Sequence, residues 1–219
     1  MILVIYDYPA ESDPIRQGDI FFGLPRIDVP PKDLTVVEES GLPVERTWSE
    51  IAMSGEPTSI VVGVRPVIAI VASQDCDAVR APDITLCEIR PFQDVERKSR
   101  ETTSPKKWKN ILTQQSRVNQ KWFYLPPDAR VGFTLKMGAD FQVVLRLRRV
   151  QLEDLRSFRH ARLNDIAEAH FRERIAEFFR RYAYDEWYCL DAAELAAYVE
   201  ENPETTPYPW QTNPASPQS

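Results

Sequence analysis

Gly63-Val64-Arg65-Pro66-Val67-Ile68-Ala69-Ile70-Val71-Ala72-Ser73-Gln74-Asp75-Cys76-Asp77 is the stretch on which the fold turns. Arginine and proline open a run that stays apolar to Ala72, and a polar cluster with two carboxylates around a thiol closes it. A run of this length, rich in Val and Ile, reads as a strand buried on both faces. Such a strand holds its ends rigidly, so Arg65 at one end and Ser73, Asp75, Cys76 and Asp77 at the other are candidate site residues.

Working outward, residues 1 to 150 read as mainly β with long loops. Ile2 to Tyr6, Gly18 to Gly23, Ile84 to Ile89, Trp122 to Leu125, Val131 to Leu135 and Phe141 to Val150 carry strand patterns, most of them bounded by prolines. Leu145 and Leu147 alternate with Arg146 and Arg148, which gives that strand one apolar and one cationic face. Two insertions interrupt the pattern. The first, at about 28–59, is proline-rich, with Leu34 to Val37 as an edge strand. The second, at about 93–118, is charged and poor in β-branched residues. Residues 151–202 read as helical. From Ser157 to Tyr182, Leu163, Ile166, His170, Phe171, Ile175, Phe178 and Phe179 recur at three- and four-residue spacing, and Asp191 with Glu194 resembles a capping box. Residues 203–219 hold five prolines and read as a disordered tail.

Composition narrows the function. The 219 residues carry a net charge of −6, which argues against a protein that coats nucleic acid by bulk attraction. No apolar run approaches the length of a membrane helix, so no membrane partner is expected. Three cysteines without framework spacing suggest reduced thiols and a cytoplasmic setting. Seven glycines, none in a phosphate-binding pattern, argue against a nucleotide cofactor, and no cofactor is expected.

Two ordered motifs add a family resemblance. Arg16-Gln17-Gly18-Asp19-Ile20-Phe21-Phe22 resembles the opening of the MazF/PemK toxin ribonucleases, and Gly63-Val64-Arg65-Pro66 followed by an apolar strand is similar to their second landmark. The likeness runs over about residues 16 to 182, with long insertions. It implies an α+β fold: a small SH3-like half-open β-barrel over 1–150, followed by C-terminal helices packed on it, and often a homodimer. It also implies a setting in bacterial stress response or phage defence. In that family the arginine before the proline serves the RNA phosphate, here Arg65. A hydroxyl-bearing residue one strand later completes the site, and Arg90 stands at that position. Arginine binds phosphate but cannot act as a base. The expected function is therefore a binding or regulatory module that has kept the barrel without the catalysis and works through an antitoxin-like or regulatory protein partner. The alternative is a metal-independent endoribonuclease on single-stranded RNA, with Arg65 at the phosphate.

The residues themselves leave other readings open. Asp75 and Asp77 suit a metal or phosphate role, Cys76 suits thiol chemistry with a nearby base, and the whole cluster equally suits a strand-to-loop junction in which an aspartate caps a turn. Arg65 suits a structural ion pair with Asp19 or Asp77. Trp122, Phe123 and Tyr124 suit either base stacking or a core.

Overall fold

The computed structural model describes residues 5–29, 32–38, 40–92, 104–109 and 121–180, with Ala196, Glu200 and Pro203 isolated beyond them. Most of the 93–118 insertion, the Asp191–Glu194 cap and the proline-rich tail lie outside the described residues. The chain divides into two compact units, Met1–Phe178 and Phe179–Ser219, and among the described residues every strand belongs to the first.

The elements in chain order are β1 (Tyr6–Asp7), β2 (Asp19–Ile27), β3 (Leu34–Val37), β4 (Pro43–Arg46), α1 (Trp48–Ser54), β5 (Ser59–Val61), β6 (Val64–Val71), α2 (Asp75–Arg80) and β7 (Asp83–Pro91). Then come β8 (Trp122–Leu125), β9 (Met137–Arg148), α3 (Arg149–Asp154), a 3-10 turn (Arg156–Phe158), β10 (Arg159–Leu163) and α4 (Asp165–Arg180). Seven strands form one antiparallel sheet in the order β1-β10-β2-β6-β7-β9-β8. The fold is α+β.

β6 is the central strand of the seven; its first three residues are exposed, and from Val67 to Val71 it is covered on both sides, as its apolar run requires. Val67, Ala69 and Val71 pack with Phe21, Leu24, Ile84 and Leu86 under Ala78 of α2 and Leu152 of α3. Ile70 faces the other way, into a cluster with Tyr6, Phe123, Leu125, Phe141 and Phe171 of α4. The sheet curls around that second cluster. Its two edge strands approach each other there: the Tyr6 hydroxyl donates to the Pro126 carbonyl at 2.9 Å, and the Tyr6 ring meets Phe133 edge-on. This barrel-like closure is made by side chains and not by a ladder.

The Gly18-Asp19 pair has a structural reason. Gly18 has φ +83°, and a Cβ there would come within 3.2 Å of Leu163. Its N–H donates to Val71 and its carbonyl accepts from Leu163, so it stitches β6 to β10. Asp19 is fully buried between two arginines of β10. Arg159 Nη1 reaches Oδ2 at 3.0 Å, and Arg162 Nε reaches Oδ1 at 2.5 Å. The same guanidinium groups donate to the carbonyls of Ala10, Asp13 and Pro14 and tie down the loop before β2.

Three expectations are corrected. The helix expected from Ser157 begins at Asp165, where the Asn164 side chain accepts from the Ala167 N–H. Residues 159–163 are instead a strand between β1 and β2, because Ala161 and Leu163 alternate inward while Arg159 and Arg162 close on Asp19. The sheet therefore continues past residue 150. No strand forms at 131–135, where Gly132 takes φ +98° in a turn closed by a single bridge, Asp128 to Phe133. The 28–59 insertion has a small sheet of its own, in the order β4-β3-β5, with α1 against it.

Candidate functional site

Strand register brings charged side chains of four strands onto one face of the main sheet. Arg26 of β2 lies opposite Arg65 of β6. Ala69 lies opposite Glu88 of β7, and Glu88 opposite Asp140 of β9. Alternate residues of a strand share a face, so Arg65, Glu88 and Arg90 all point to the side that also carries Val67 and Ala69.

Two carboxylates are buried in this face, and the arginines lie over them. The Glu88 side chain, 3% exposed, is ion-paired with Arg26 and accepts from Nη1 and Nη2 of Arg65 at 3.3 Å. Arg65 is 49% exposed and also reaches Asp28 at 3.3 Å. Arg90 binds the buried Asp140 at 2.5 Å through Nη2, with its guanidinium 5.4 Å from the Trp122 ring centre. The hydrogen bond to Glu88 holds the Arg26 guanidinium above its ordinary pKa, and Arg26 in turn holds the exposed Asp28 below its own. Beside the arginines, Phe92, Trp108, Trp122 and Tyr124 pack at 5.1–5.9 Å between ring centres, edge to face except for the tilted Phe92–Trp122 pair. They sit against Gly138, where a Cβ would lie 2.7 Å from Phe92 and 2.9 Å from Trp122. These rings form a satellite core and present no open stacking platform; Phe123 points the other way, onto Phe171.

The far end of β6 is a separate place. Six residue steps along β6, roughly 20 Å, separate Arg65 from Val71, and Asp75, Cys76 and Asp77 lie beyond it on α2. Asp75 Oδ1 accepts from the Gln17 N–H at 2.8 Å, and Oδ2 accepts from Arg16 Nη2 at 2.9 Å. Burial alone would raise the Asp75 carboxyl. The hydrogen bonds from Arg16 and the Gln17 N–H outweigh it and hold the group below its ordinary pKa. Ser73 Oγ accepts from the Thr85 N–H at 2.9 Å. Cys76 is exposed, with its Sγ 3.8 Å from Asp77. Among the described residues no group of three His, Cys, Asp or Glu could hold a metal ion.

The six sequence candidates therefore fall into two sets. Arg65 and Arg90 share the arginine face, while Ser73, Asp75, Cys76 and Asp77 share the α2 junction, where Asp75 clamps the loop before β2. Arg65 pairs with Glu88 and Asp28, not with Asp19 or Asp77. Sequence reading did not single out Arg26, Glu88 or Asp140. The available signal was a charge inside an apolar strand pattern, Glu88 within Ile84–Ile89 and Asp140 before Phe141. Compared with known proteins, the chain matches no family model, no curated protein and no solved structure.

Proposed function

We propose that the chain is a barrel-like binding module that works through a protein partner and lacks the nuclease chemistry implied by the Arg65-Pro66 motif. One observation carries this reading: the arginines that would hold a phosphate are engaged by carboxylates buried beneath them, Glu88 for Arg65 and Asp140 for Arg90. Cleavage by a 2′-hydroxyl needs a group to take its proton beside the cation that holds the phosphate. Both carboxylates that touch Arg65, Glu88 and Asp28, are ion-paired, and the hydroxyl, thiol and carboxylates among the sequence candidates lie at the other end of β6. A setting in stress response or phage defence is part of the proposal and rests on the two motifs alone.

A second reading has one observation in its favour. Arg65 is half exposed, and it lies beside Arg26 across the strand pair, so two guanidinium groups stand together for a single-stranded RNA phosphate. Inducible expression in a bacterium, alongside Arg65→Ala, separates the two. The binding-module reading expects no RNA cleavage from either chain. Growth arrest with RNA cleavage that disappears in Arg65→Ala overturns it in favour of the nuclease.

A further inference from the structure

We propose that the inserted lobe, Asp28 to Val61, is the docking surface for a basic, apolar-anchored segment of the partner protein. The lobe's own core is very small, with Leu34, Val36 and Ile51 buried and Ile60 packed against them. Between Val29 and Val61, seven large apolar side chains are exposed, against these three buried. Leu42, Trp48, Met53 and Val61 are each more than half exposed. Isolated exposed apolar residues are ordinary, but a small lobe that exposes more of them than it buries marks a contact surface.

The shape and the charge agree. An open concavity of about 680 Å³ lies between α1, β3 and β5; Val36, Ile51 and Pro57 line it alongside Glu56 and the pair Glu38–Arg46, in contact at 2.9 Å. α1 is fixed at both ends, by a Thr47–Glu50 capping box and by Gly55 at φ 69°, so the groove is preformed. From Asp28 to Val61 the sequence has seven acidic and two basic residues, a net of −5, while the whole chain carries −6. Nearly all the net negative charge thus falls within the sequence of this lobe. Nucleic acid is repelled from such a surface. A second copy of this lobe would set −5 against −5. A segment that alternates aliphatic residues with Lys or Arg fills the groove and matches its rim.

This inference rests on the binding-module reading but is tested by a different readout. The full chain is titrated, by fluorescence anisotropy, into a labelled peptide of alternating Leu and Lys, with a Leu–Glu peptide as control. The Leu–Lys peptide should bind, more weakly as salt rises, and the Leu–Glu peptide should not. Glu38→Lys combined with Glu56→Lys should weaken binding about tenfold or more. Trp48→Ser, an exposed change, should weaken it at an unchanged melting temperature. Failure of the Leu–Lys peptide to bind, equal binding of both peptides, or binding indifferent to the lobe substitutions overturns the proposal. Self-association abolished by Trp48→Ser also overturns it, by assigning the surface to a second copy. RNA cleavage dependent on Arg65 would overturn the non-catalytic reading while leaving the peptide result standing.

Discussion

Arg65 stands half in solvent over Glu88, which solvent does not reach, and their contact at 3.3 Å joins two neighbouring strands. The two residues should respond very differently to removal. Arg65→Ala deletes a partly exposed charge and leaves Glu88 with Arg26, so the loss should be under about 1 kcal/mol. Glu88→Gln leaves Arg26 and Arg65 side by side with only the exposed Asp28 between them, at a cost of about 2 kcal/mol or more. Urea unfolding of both variants checks this. An Arg65→Ala loss as large as that of Glu88→Gln would show that Arg65 is mainly structural.

Asp19 gives a sharper case of the same physics. Both of its arginine partners, Arg159 and Arg162, are largely buried, and they also hold the carbonyls of the loop before β2. Asp19→Asn should cost about 3–5 kcal/mol. Amide exchange should rise first at residues 10–16, ahead of β6. Uniform loosening of the whole sheet would contradict the assignment of that loop to the Asp19 clamp.

The contrast between these sites shows what was legible in the sequence. Val67 to Val71 announced a doubly covered strand because its apolar run leaves no polar face, and α2, α3 and α4 do cover it, whereas Val64 to Pro66 are exposed. Residues 159–163 did not announce themselves. Arg159 and Arg162 look like solvent-facing residues of a helix until a buried Asp19, some 140 positions earlier, is brought beside them; long-range charge pairing leaves no local period. The Arg65-Pro66 end of β6 stands out in the sequence because a charge and a proline open an apolar run. Its buried counter-charge, Glu88, however, comes from β7, and only register reveals it.

Cysteine reactivity should divide by burial. The Cys87 thiol is pushed up to about 12, by burial and then by nearby Asp140, whereas Cys76 is exposed on α2. In a Cys189→Ser background, iodoacetamide should label Cys76 in the native protein and reach Cys87 only on unfolding. Mass spectrometry of the labelled peptides checks this. Native labelling of Cys87 would mean that the β6–β7 core opens far more readily than its packing implies.

Gly138 is fixed by its neighbours and not by its backbone angles. Phe92 and Trp122 lie where a side chain would begin, so Gly138→Ala must push two buried rings aside. The cost should be about 1–3 kcal/mol, with the change in tryptophan fluorescence confined to the Phe92–Trp108–Trp122–Tyr124 cluster. A neutral Gly138→Ala would show that this cluster repacks freely.

Asp75 sets the expected acid response of the α2 junction. Its folded pKa lies below the ordinary carboxylate value, because Arg16 and the Gln17 N–H outweigh the opposing effect of burial. A group depressed in this way contributes stability that is fully present above its unfolded pKa, near 4, and is lost as pH falls through the folded value. The wild-type melting temperature should therefore drop more steeply than that of Asp75→Asn as pH is taken from neutral to about 3. The variant should be less stable at neutral pH, and the gap should narrow in acid. Arg16→Ala should weaken the same acid dependence, because it removes the side-chain part of the clamp while leaving the Gln17 N–H in place. Parallel melting curves for Asp75→Asn and wild type across that range would mean that Asp75 is not held below its ordinary value, and the clamp between α2 and the loop before β2 would have to be abandoned.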